Sequence, residues 1–544
     1  MRQFLLFGGL GAALAVTAQP AWEWGRNGAG TGNETGWAIC TDPEGNIFVA
    51  GSFNGPSLTF GTTQLVNPEP DHADVFLVKY DPAGQVLWAR SGTGYGYDNA
   101  NALATDVQGN VFIAGIISDS WTLGGDTLET TGGYDAFLAK YDADGTLLWD
   151  RQISGVEGEA VNDLATDANG DVLLVGEFSS DIITLGGIEL QNANSGSNTD
   201  GLIARYDAEG ELLWARTARG PGFEGVFAVD VDGDGNAVIT GSFGSAHLAL
   251  GTDTLDNGQA GLGDVFIAKY GPQAELLWAT SIPAADDQVP HGVAVDNAGE
   301  IVISGNFKGA SYPIGDTTLQ NTVFFWFDAF VAKYHADGSF VWAACGGGDL
   351  DDEAWAVDTD PENNVVFCGL SQGGFCSYGD LSYTSYGLQD MVAAKYSPDG
   401  ELLWLMHEGG AGDDMALALA IDPFGQALFT GAFGTDTVVL SGSSLINSGY
   451  QDFWVLKLGT QSTGHADAVP ENVGLYPVPS TGTVTVASDR PISQLVVCDA
   501  MGRTVYQARP QTLQAQLRVE TPGTYVARIT VNGSTLTRRF MATE

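Results

Sequence analysis

Basic residues are scarce in this chain. Twenty-one Lys and Arg stand against 67 Asp and Glu over 544 residues, a formal net charge of −46. That balance excludes nucleic acid and anionic membrane as partners. Cysteine is nearly absent. Cys40, Cys345, Cys368, Cys376 and Cys498 are too few, and odd in number, for a disulfide scaffold, and none has metal-ligand spacing. Cys368 and Cys376 are near enough to close a local loop; buried free thiols are the other reading. The six histidines (His72, His247, His291, His335, His407, His465) are scattered, with no H-E-x-x-H pair and no nucleophile elbow. Long apolar runs are missing beyond the first residues, so no later stretch is expected to span a membrane. The opening MRQFLLFGGLGAALAVTAQ reads as a secretory signal over 1–18. Arg2 gives the positive end, Phe4 to Val16 the apolar run, and Val16-Thr17-Ala18 a small-residue cleavage site before Gln19.

Glycine is plentiful at 74 residues and 44% of the chain is hydrophobic, which fits many short strands joined by tight turns around a real core. The few lysines are ordered. Six of the seven, with one arginine, fall in a single register: Lys79, Lys140, Arg205, Lys269, Lys333, Lys395 and Lys457, spaced 61 to 65 residues apart, leaving only Lys308 outside. Each sits in a phrase whose cleanest copy is DAFLAKYDADGTLLW, Asp135 to Trp149, and the phrase ends on Trp88, Trp149, Trp214, Trp278, Trp342 and Trp404. A fixed period of this length means stacked units that cannot bury their faces alone.

Each period holds four strand-like runs, here lettered A to D. In the second copy they are Ala102 to Thr105, Asn110 to Gly115, Ala136 to Tyr141 and Thr146 to Trp149. The A–B turn starts on Asp42, Asp106, Asp167, Asp232, Asp296, Asp360 and Asp422, with Gly three residues on in every copy except the sixth, which has Asn363. Asp first and Gly fourth suit a type I turn. Strand B is expected to end on Gly51, Gly115, Gly176, Gly241, Gly305, Gly369 and Gly431, where a missing side chain permits close backbone approach. Four antiparallel strands repeated radially make a propeller blade. The expected fold is therefore all-β: a seven-bladed propeller of four-stranded blades over 19–458. The last copy stops after strand C at Lys457-Leu458, while Trp24 lies as far before Asp42 as Trp88 lies before Asp106. Trp22-Glu23-Trp24 is thus expected to supply strand D of the final blade and close the ring, which removes open sheet edges. A solenoid has no use for such an offset.

A polar linker, 459–471, leads to a second region, 472–544, whose seven arginines against four acids give about +3. Its short strand-like runs and the Asn532-Gly533 hairpin turn suggest a small β-sandwich.

The repeats resemble the secreted bacterial seven-bladed β-propeller repeats, in which G-N-x-[FY]-V-x-G-x-F precedes D-x-F-x-x-K-Y-D; the matching residues are Gly45 to Phe53 and Asp74 to Asp81. The resemblance covers Trp22 to Leu458 and implies a fold rather than a reaction. The tail resembles the C-terminal sorting domain of bacterial type IX secretion. The matching residues are Leu475-Tyr476-Pro477-Val478-Pro479 with Gly482, Asp499-Ala500-Met501-Gly502-Arg503, Gly523-Thr524-Tyr525 and Arg538-Arg539-Phe540, with Val478 where that family usually has Asn. This implies the type IX secretion machinery as a partner, export across the outer membrane, and release or surface attachment. An accessory carbohydrate-binding sandwich is the other reading.

Several residues invite chemistry. The register cations are read as structural, each paired with a carboxylate: either the Asp opening strand C (Asp74, Asp135, Asp200, Asp264, Asp328, Asp390, Asp452) or the turn Asp of a neighbouring blade. The tryptophans, Trp24 included, are read as packing between blades. Asp230, Asp232 and Asp234 spell the D-x-D-x-D-G start of a calcium loop, yet the twelfth position is Gly241 and the ninth Val238. In an up-and-down blade the long B–C insertions and the D–A loops share one face, and loops on a rigid scaffold are where binding resides. The acids there (Asp98, Glu157, Asp286, Asp287, Asp351, Asp352, Asp413, Asp414, with Glu34 and Glu159) and His291 near the channel mouth are the candidate ligand-binding residues. They are open to reading as a calcium, cationic or sugar site, or as solvated surface. The function expected is an exported, monomeric binding or surface-scaffold module for a glycan or protein. The alternatives are a polysaccharide- or ester-cleaving enzyme using Asp351-Asp352 or Asp413-Asp414, and a purely structural repeat.

Overall fold

A computed structural model describes residues 20–124, 126–194, 198–440 and 443–459, and in the C-terminal region 474–476, 483–499, 504–519, 521, 523–531 and 534–542. Segment 1–18 and most of the linker lie outside the described residues. The chain divides into two compact units, 1–460 and 461–544.

In the first unit the described residues form seven antiparallel four-stranded meanders. Blade 1 runs Glu34–Thr41, Ile47–Phe53, Asp74–Tyr80 and Val86–Gly94; blade 5 runs Gln288–Val295, Ile301–Phe307, Asp328–Tyr334 and Phe340–Gly348. The last meander takes Asp414–Ile421, Ala427–Phe433 and Asp452–Leu458 from one end of the unit and Trp22–Asn27 from the other. That N-terminal strand pairs antiparallel with the C-terminal one, Trp24 opposite Lys457 and Arg26 opposite Val455. Strand A of each blade lies beside strand A of the next, and that of the last beside that of the first. The fold is a β-propeller closed by its own N-terminal strand.

The core sits between blades. Each buried cluster draws on two consecutive blades, and one joins Ile39, Val49 and Phe76 to Leu428, Val455 and Trp24 across the closure. A sheet packed on both faces reads as a continuous apolar run, and strands B and C do: every residue of Asp264–Tyr270 and of Ile301–Phe307 is buried.

Repeated residues have repeated roles. The turn aspartate accepts N–H groups two and four residues on, as Asp106 does from Gln108 and Asn110, and Gly109 closes the turn at φ +78°. The register cation of strand C reaches that same carboxylate from within its own blade: Lys140 Nζ lies 3.0 Å from Asp106, Lys333 2.9 Å from Asp296, Lys457 3.0 Å from Asp422, and Arg205 pairs with Asp167. Neither the strand C aspartate nor a neighbouring blade's turn aspartate is the partner. Burial pushes the Asp106 carboxyl up, but hydrogen bonds from Asn110 and Lys140 outweigh it and hold it below the ordinary range. Six of the seven strand D indoles donate to the second residue of the next C–D turn: Trp24 to Pro82, Trp88 to Ala143, Trp149 to Ala208, Trp214 to Pro272, Trp278 to Ala336 and Trp342 to Pro398. In four blades the cation and the indole meet the same carbonyl of the next blade, as Lys140 and Trp149 do at Ala208.

Strand A carries a β-bulge between its third and fifth residues, Gly36/Ala38 in blade 1 and Pro290/Gly292 in blade 5. The bulge drives a backbone carbonyl of strand A against strand B. A Cβ on Gly51, Gly176 or Gly431 would collide with the carbonyl oxygen of Thr35, Ala160 or Met415. Strand B runs on past this glycine, to Phe53 in blade 1 and Leu123 in blade 2. The B–C insertions are structured: short hairpins such as Ser57–Phe60 with Thr63–Val66 bury Leu58, Phe60 and Leu65.

The second unit is a small β-sandwich built on one long strand, Thr483–Asp499, whose register shifts between Ala487 and Ile492. Its first half pairs with Gly474–Tyr476 and Thr512–Arg518, its second with Gly523–Val531 and Thr504–Ala508. Val484, Val486, Leu495, Val497 and Leu517 make the core. Strands Gly523–Val531 and Ser534–Ala542 form a hairpin; its turn, 532–533, lies outside the described residues.

Candidate functional site

The strand A bulges place one side chain per blade around the axis. These are Trp37, Asn101, Asn162, Phe227, His291, Trp355 and Leu417, lining a cavity of about 680 Å³. Position four of strand A is therefore where the repeats stop repeating. Asn101 and Asn162 donate to the next strand A at Val161 and Val226 (2.8 and 3.0 Å), and Trp37 Nε1 meets Ser52 Oγ at 3.3 Å. His291 stacks on Trp355 with centroids 4.4 Å apart. Burial holds His291 down at about 4, so it is neutral at pH 7.

Farther along the wall, three aspartates staple adjacent strands. Asp163 accepts Val229 N–H, Asp230 accepts Val295 N–H and Asp358 accepts Ile421 N–H. Burial raises their carboxyls to about 7, 6 and 7. No Lys or Arg is among the residues lining the cavity.

The proposed calcium triplet is divided between environments. Asp230 is the channel staple, Asp232 holds its own turn and lies 2.8 Å from Lys269, and Asp234 is exposed. Among the described residues no three His, Cys, Asp or Glu side chains gather where a metal could sit.

The acids of the loop face fall into two sets. Asp98, Asp352 and Asp414, with Glu34 and Glu159, stand at the start of strand A and are buried beneath the loops. The others are partly or fully exposed. Asp287 accepts Gly263 N–H and Asp351 accepts Phe327 N–H, each at the end of a B–C insertion; Asp286 accepts Asp287 N–H. The backbone of Asp413 accepts Gly434 N–H, and Glu157 is exposed. In Asp351-Asp352 and Asp413-Asp414 the first member is partly exposed and the second is buried in the blade seam. The string Gly369-Leu370-Ser371-Gln372-Gly373 spells G-x-S-x-G, but Ser371 is buried in strand B rather than on a strand-to-helix turn. Cys40, Cys345, Cys368 and Cys376 are free thiols, so no bridge joins Cys368 to Cys376; the Cys498 side chain lies outside the described residues.

Sequence reasoning passed over the aromatic residues of the same face. In the B–C connections of blades 5 and 6, Phe324, Phe325, Trp326, Phe375, Tyr386 and Leu388 are all exposed, Phe325 at 69%. The FFW string and its place in a long insertion were the available signal.

Comparison with known proteins gives the class. Residues 474–543 match the family described as the secretion system C-terminal sorting domain. The chain is therefore a β-propeller carrying a type IX sorting tail, and it is secreted or attached to the outer cell surface. An uncharacterised WD repeat-containing protein of Acanthamoeba polyphaga mimivirus is 26% identical over 439 residues, covering 64% of this chain and 31% of that protein. The regulatory protein FlaEY of Caulobacter vibrioides is 24% identical over 286 residues, covering 47% and 29%. The chain spans about a third of the length of these curated relatives. Among solved structures, Sqt1 from Chaetomium thermophilum aligns at 13% identity and TM-score 0.36, covering 80% of this chain and 99% of that one.

Proposed function

We propose that the propeller, a ring of seven blades, is a surface-displayed binding module that holds a glycan chain on the B–C/D–A loop face. The observation that carries this reading is the group of exposed aromatic side chains in blades 5 and 6, Phe324 to Trp326 with Phe375 and Tyr386. Sugar rings present C–H faces that stack on such side chains, and apolar groups left in water on a rigid scaffold mark an interaction site. The surrounding acids favour a neutral or cationic ligand over an anionic one. Binding rather than cleavage fits the carboxylates, since Asp352 and Asp414 are buried in the seams and Asp287 and Asp351 hold loop N–H groups. On this reading residues 1–18 are removed during export and the tail engages the secretion machinery.

The test incubates the full-length protein with a panel of extracellular polysaccharides, with and without chelator. Binding without new reducing ends, weakened at least tenfold by Phe325→Ala with Trp326→Ala, is the expected result. New reducing ends, or no binding to any polysaccharide, would refute it.

A further inference from the structure

Beneath the loop face lies a repeated feature that neither glycan binding nor the structural ion pairs use. At each boundary between blades, the aspartate opening strand C of one blade lies against the residue at the start of strand A of the next. The pairs are Asp74 with Asp98, Asp135 with Glu159, Asp200 with Glu224, Asp328 with Asp352, Asp390 with Asp414, and Asp452 with Glu34 across the ring closure. In the remaining seam Asp264 stands at the first position and Gln288 at the second. All of these side chains are buried, none more than 2% exposed.

The donors around them are unevenly distributed. One oxygen of Asp74 accepts Gly94 N–H and one of Asp98 accepts Ser118 N–H; the other oxygen of each has no donor among the described residues. Glu34 accepts Gly32 N–H, and Asp452 accepts Ser448 N–H and the Asn27 amide, leaving Glu34 Oε2 and Asp452 Oδ1 without donors. Glu224 Oε2, Asp328 Oδ1 and Asp390 Oδ1 are left in the same way. A buried carboxyl oxygen without a donor is costly, and two ionised carboxylates side by side in a dry seam are costlier.

What fills the gap must supply a donor to one carboxyl from the other. A divalent cation asks for about six to eight oxygens, whereas the remaining neighbours of these carboxyls are mostly N–H groups, with the Ser245 and Thr435 hydroxyls and the Cys376 thiol donating to Glu224, Asp414 and Asp352, and among the described residues no three acids, histidines or cysteines gather around one point. In the Asp74–Asp98, Asp135–Glu159 and Asp452–Glu34 pairs each carboxyl has an oxygen without a donor and a single shared proton bridges the two; in the other three pairs it supplies the donor missing at Glu224, Asp328 or Asp390. The seam that differs carries a neutral side chain in the second position: Gln288 is the uncharged, same-sized counterpart of a protonated Glu, and its amide donates to the Asp286 carbonyl.

We propose that these six carboxyl pairs are proton clasps, each holding one proton that fastens a B–C loop to the next strand A, and that losing those protons at alkaline pH loosens the loop face. On deprotonation the carboxyl O–H passes its proton to hydroxide, leaving two carboxylates and a water. The inference uses the loop face only as geometry and does not depend on what that face binds.

Among the described residues one cation stands beside these carboxyls, and the other titratable neighbours are acids or neutral groups. Asp119 lies by Asp98, Tyr134 by Glu159, Cys345 by Asp328, Cys376 with Tyr378 and Tyr383 by Asp352, and His407 and Glu408 by Asp390. The cation among them is Arg219, 3.8 Å from Asp200 and itself 44% exposed. Burial, with the facing carboxylate of Asp452, pushes Glu34 up to about 8; burial pushes Asp98 to about 8 and Glu224 and Asp352 to about 7. A raised carboxyl favours the fold while protonated, so stability is greatest near the unfolded carboxyl range and falls as pH rises toward 8.

The test follows the thermal midpoint of the full chain from pH 5 to 9 in the presence of chelator. A variant carrying Glu34→Gln, Asp98→Asn, Glu224→Gln and Asp352→Asn is followed beside it. The midpoint of the parent should fall across pH 6–8, and the variant should lose at least half of that fall. A flat or rising parent profile, or an equal fall in the variant, would overturn the proposal. So would restoration of the pH 8 midpoint by calcium alone. Should the variant not fold, the infrared C=O band of protonated carboxyls in the native parent at pH 6.5 decides: its presence supports the clasps and its absence refutes them.

Discussion

Replacing Lys140 by Met tests how the blades are held. Lys140 Nζ lies 3.0 Å from Asp106, donates to Ala208 of the next blade at 3.1 Å and sits 4.5 Å from the centre of the Phe112 ring. Both side chains of the pair are at most 5% exposed. Methionine fills nearly the same volume, so the loss is chiefly electrostatic: a buried carboxylate loses its cation and a carbonyl its donor. Breaking one side of such a pair costs about 3–5 kcal/mol, whereas removing both charges is close to neutral. Equilibrium denaturation of the full chain should therefore show Lys140→Met less stable by about 3 kcal/mol or more. Adding Asp106→Asn should recover most of that loss, giving a coupling of about 3 kcal/mol or more. Lys308→Met is the control, since Lys308 lies outside the register and merely covers the Phe327 ring at 4.2 Å; its cost should stay under about 1 kcal/mol. A Lys140→Met variant within about 1 kcal/mol of the parent, with no coupling to Asp106, would refute the clamp.

Other outcomes follow from the same geometry. Trp149→Phe removes the bond to Ala208 and the stack under Arg151, and should cost about 1–2 kcal/mol by denaturation. Gly176→Ala drives a methyl into the Ala160 carbonyl and should lower the yield of folded protein sharply, as read by size-exclusion chromatography. Asp234→Ala should change stability by less than about 0.5 kcal/mol, because Asp234 is exposed in its turn and Lys269 pairs with Asp232 instead. Burial pushes the Cys345 thiol up to about 11, so alkylation of the native protein at pH 8 should run at least tenfold slower than after unfolding.

The propeller was legible because each structural device appears in every blade. Lysine register, turn aspartate, strand B glycine and strand D tryptophan are all visible as columns, and the position of Trp24 revealed the closure. The lysine's partner was not legible, since choosing between two aspartate columns, and between its own blade and a neighbour, requires knowing that strand B brings the A–B turn beside strand C. The bulges left no composition signal, so the ring from Trp37 to Leu417 emerged only with coordinates, although His291 was singled out. Asp98, Asp352 and Asp414 follow glycine- and acid-rich loops and read as exposed. They are buried because the first residue of strand A tucks under the strand C aspartate of the preceding blade. The one departure from acid in that column, Gln288, was the available clue. The B–C hairpins were hidden by their four-residue strands, too short for alternation to stand out from loop sequence.

The ring closes only if the N-terminal strand completes the last blade. Native-state hydrogen exchange on the full chain, read for Trp22–Asn27, tests this most directly. The closed ring predicts that the amides of this strand which bond to Asp452–Leu458 exchange as slowly as those of Ala427–Phe433 on the other side of that strand. Exchange of Trp22–Asn27 at the rate of a free chain, with Ala427–Phe433 still protected, would contradict it.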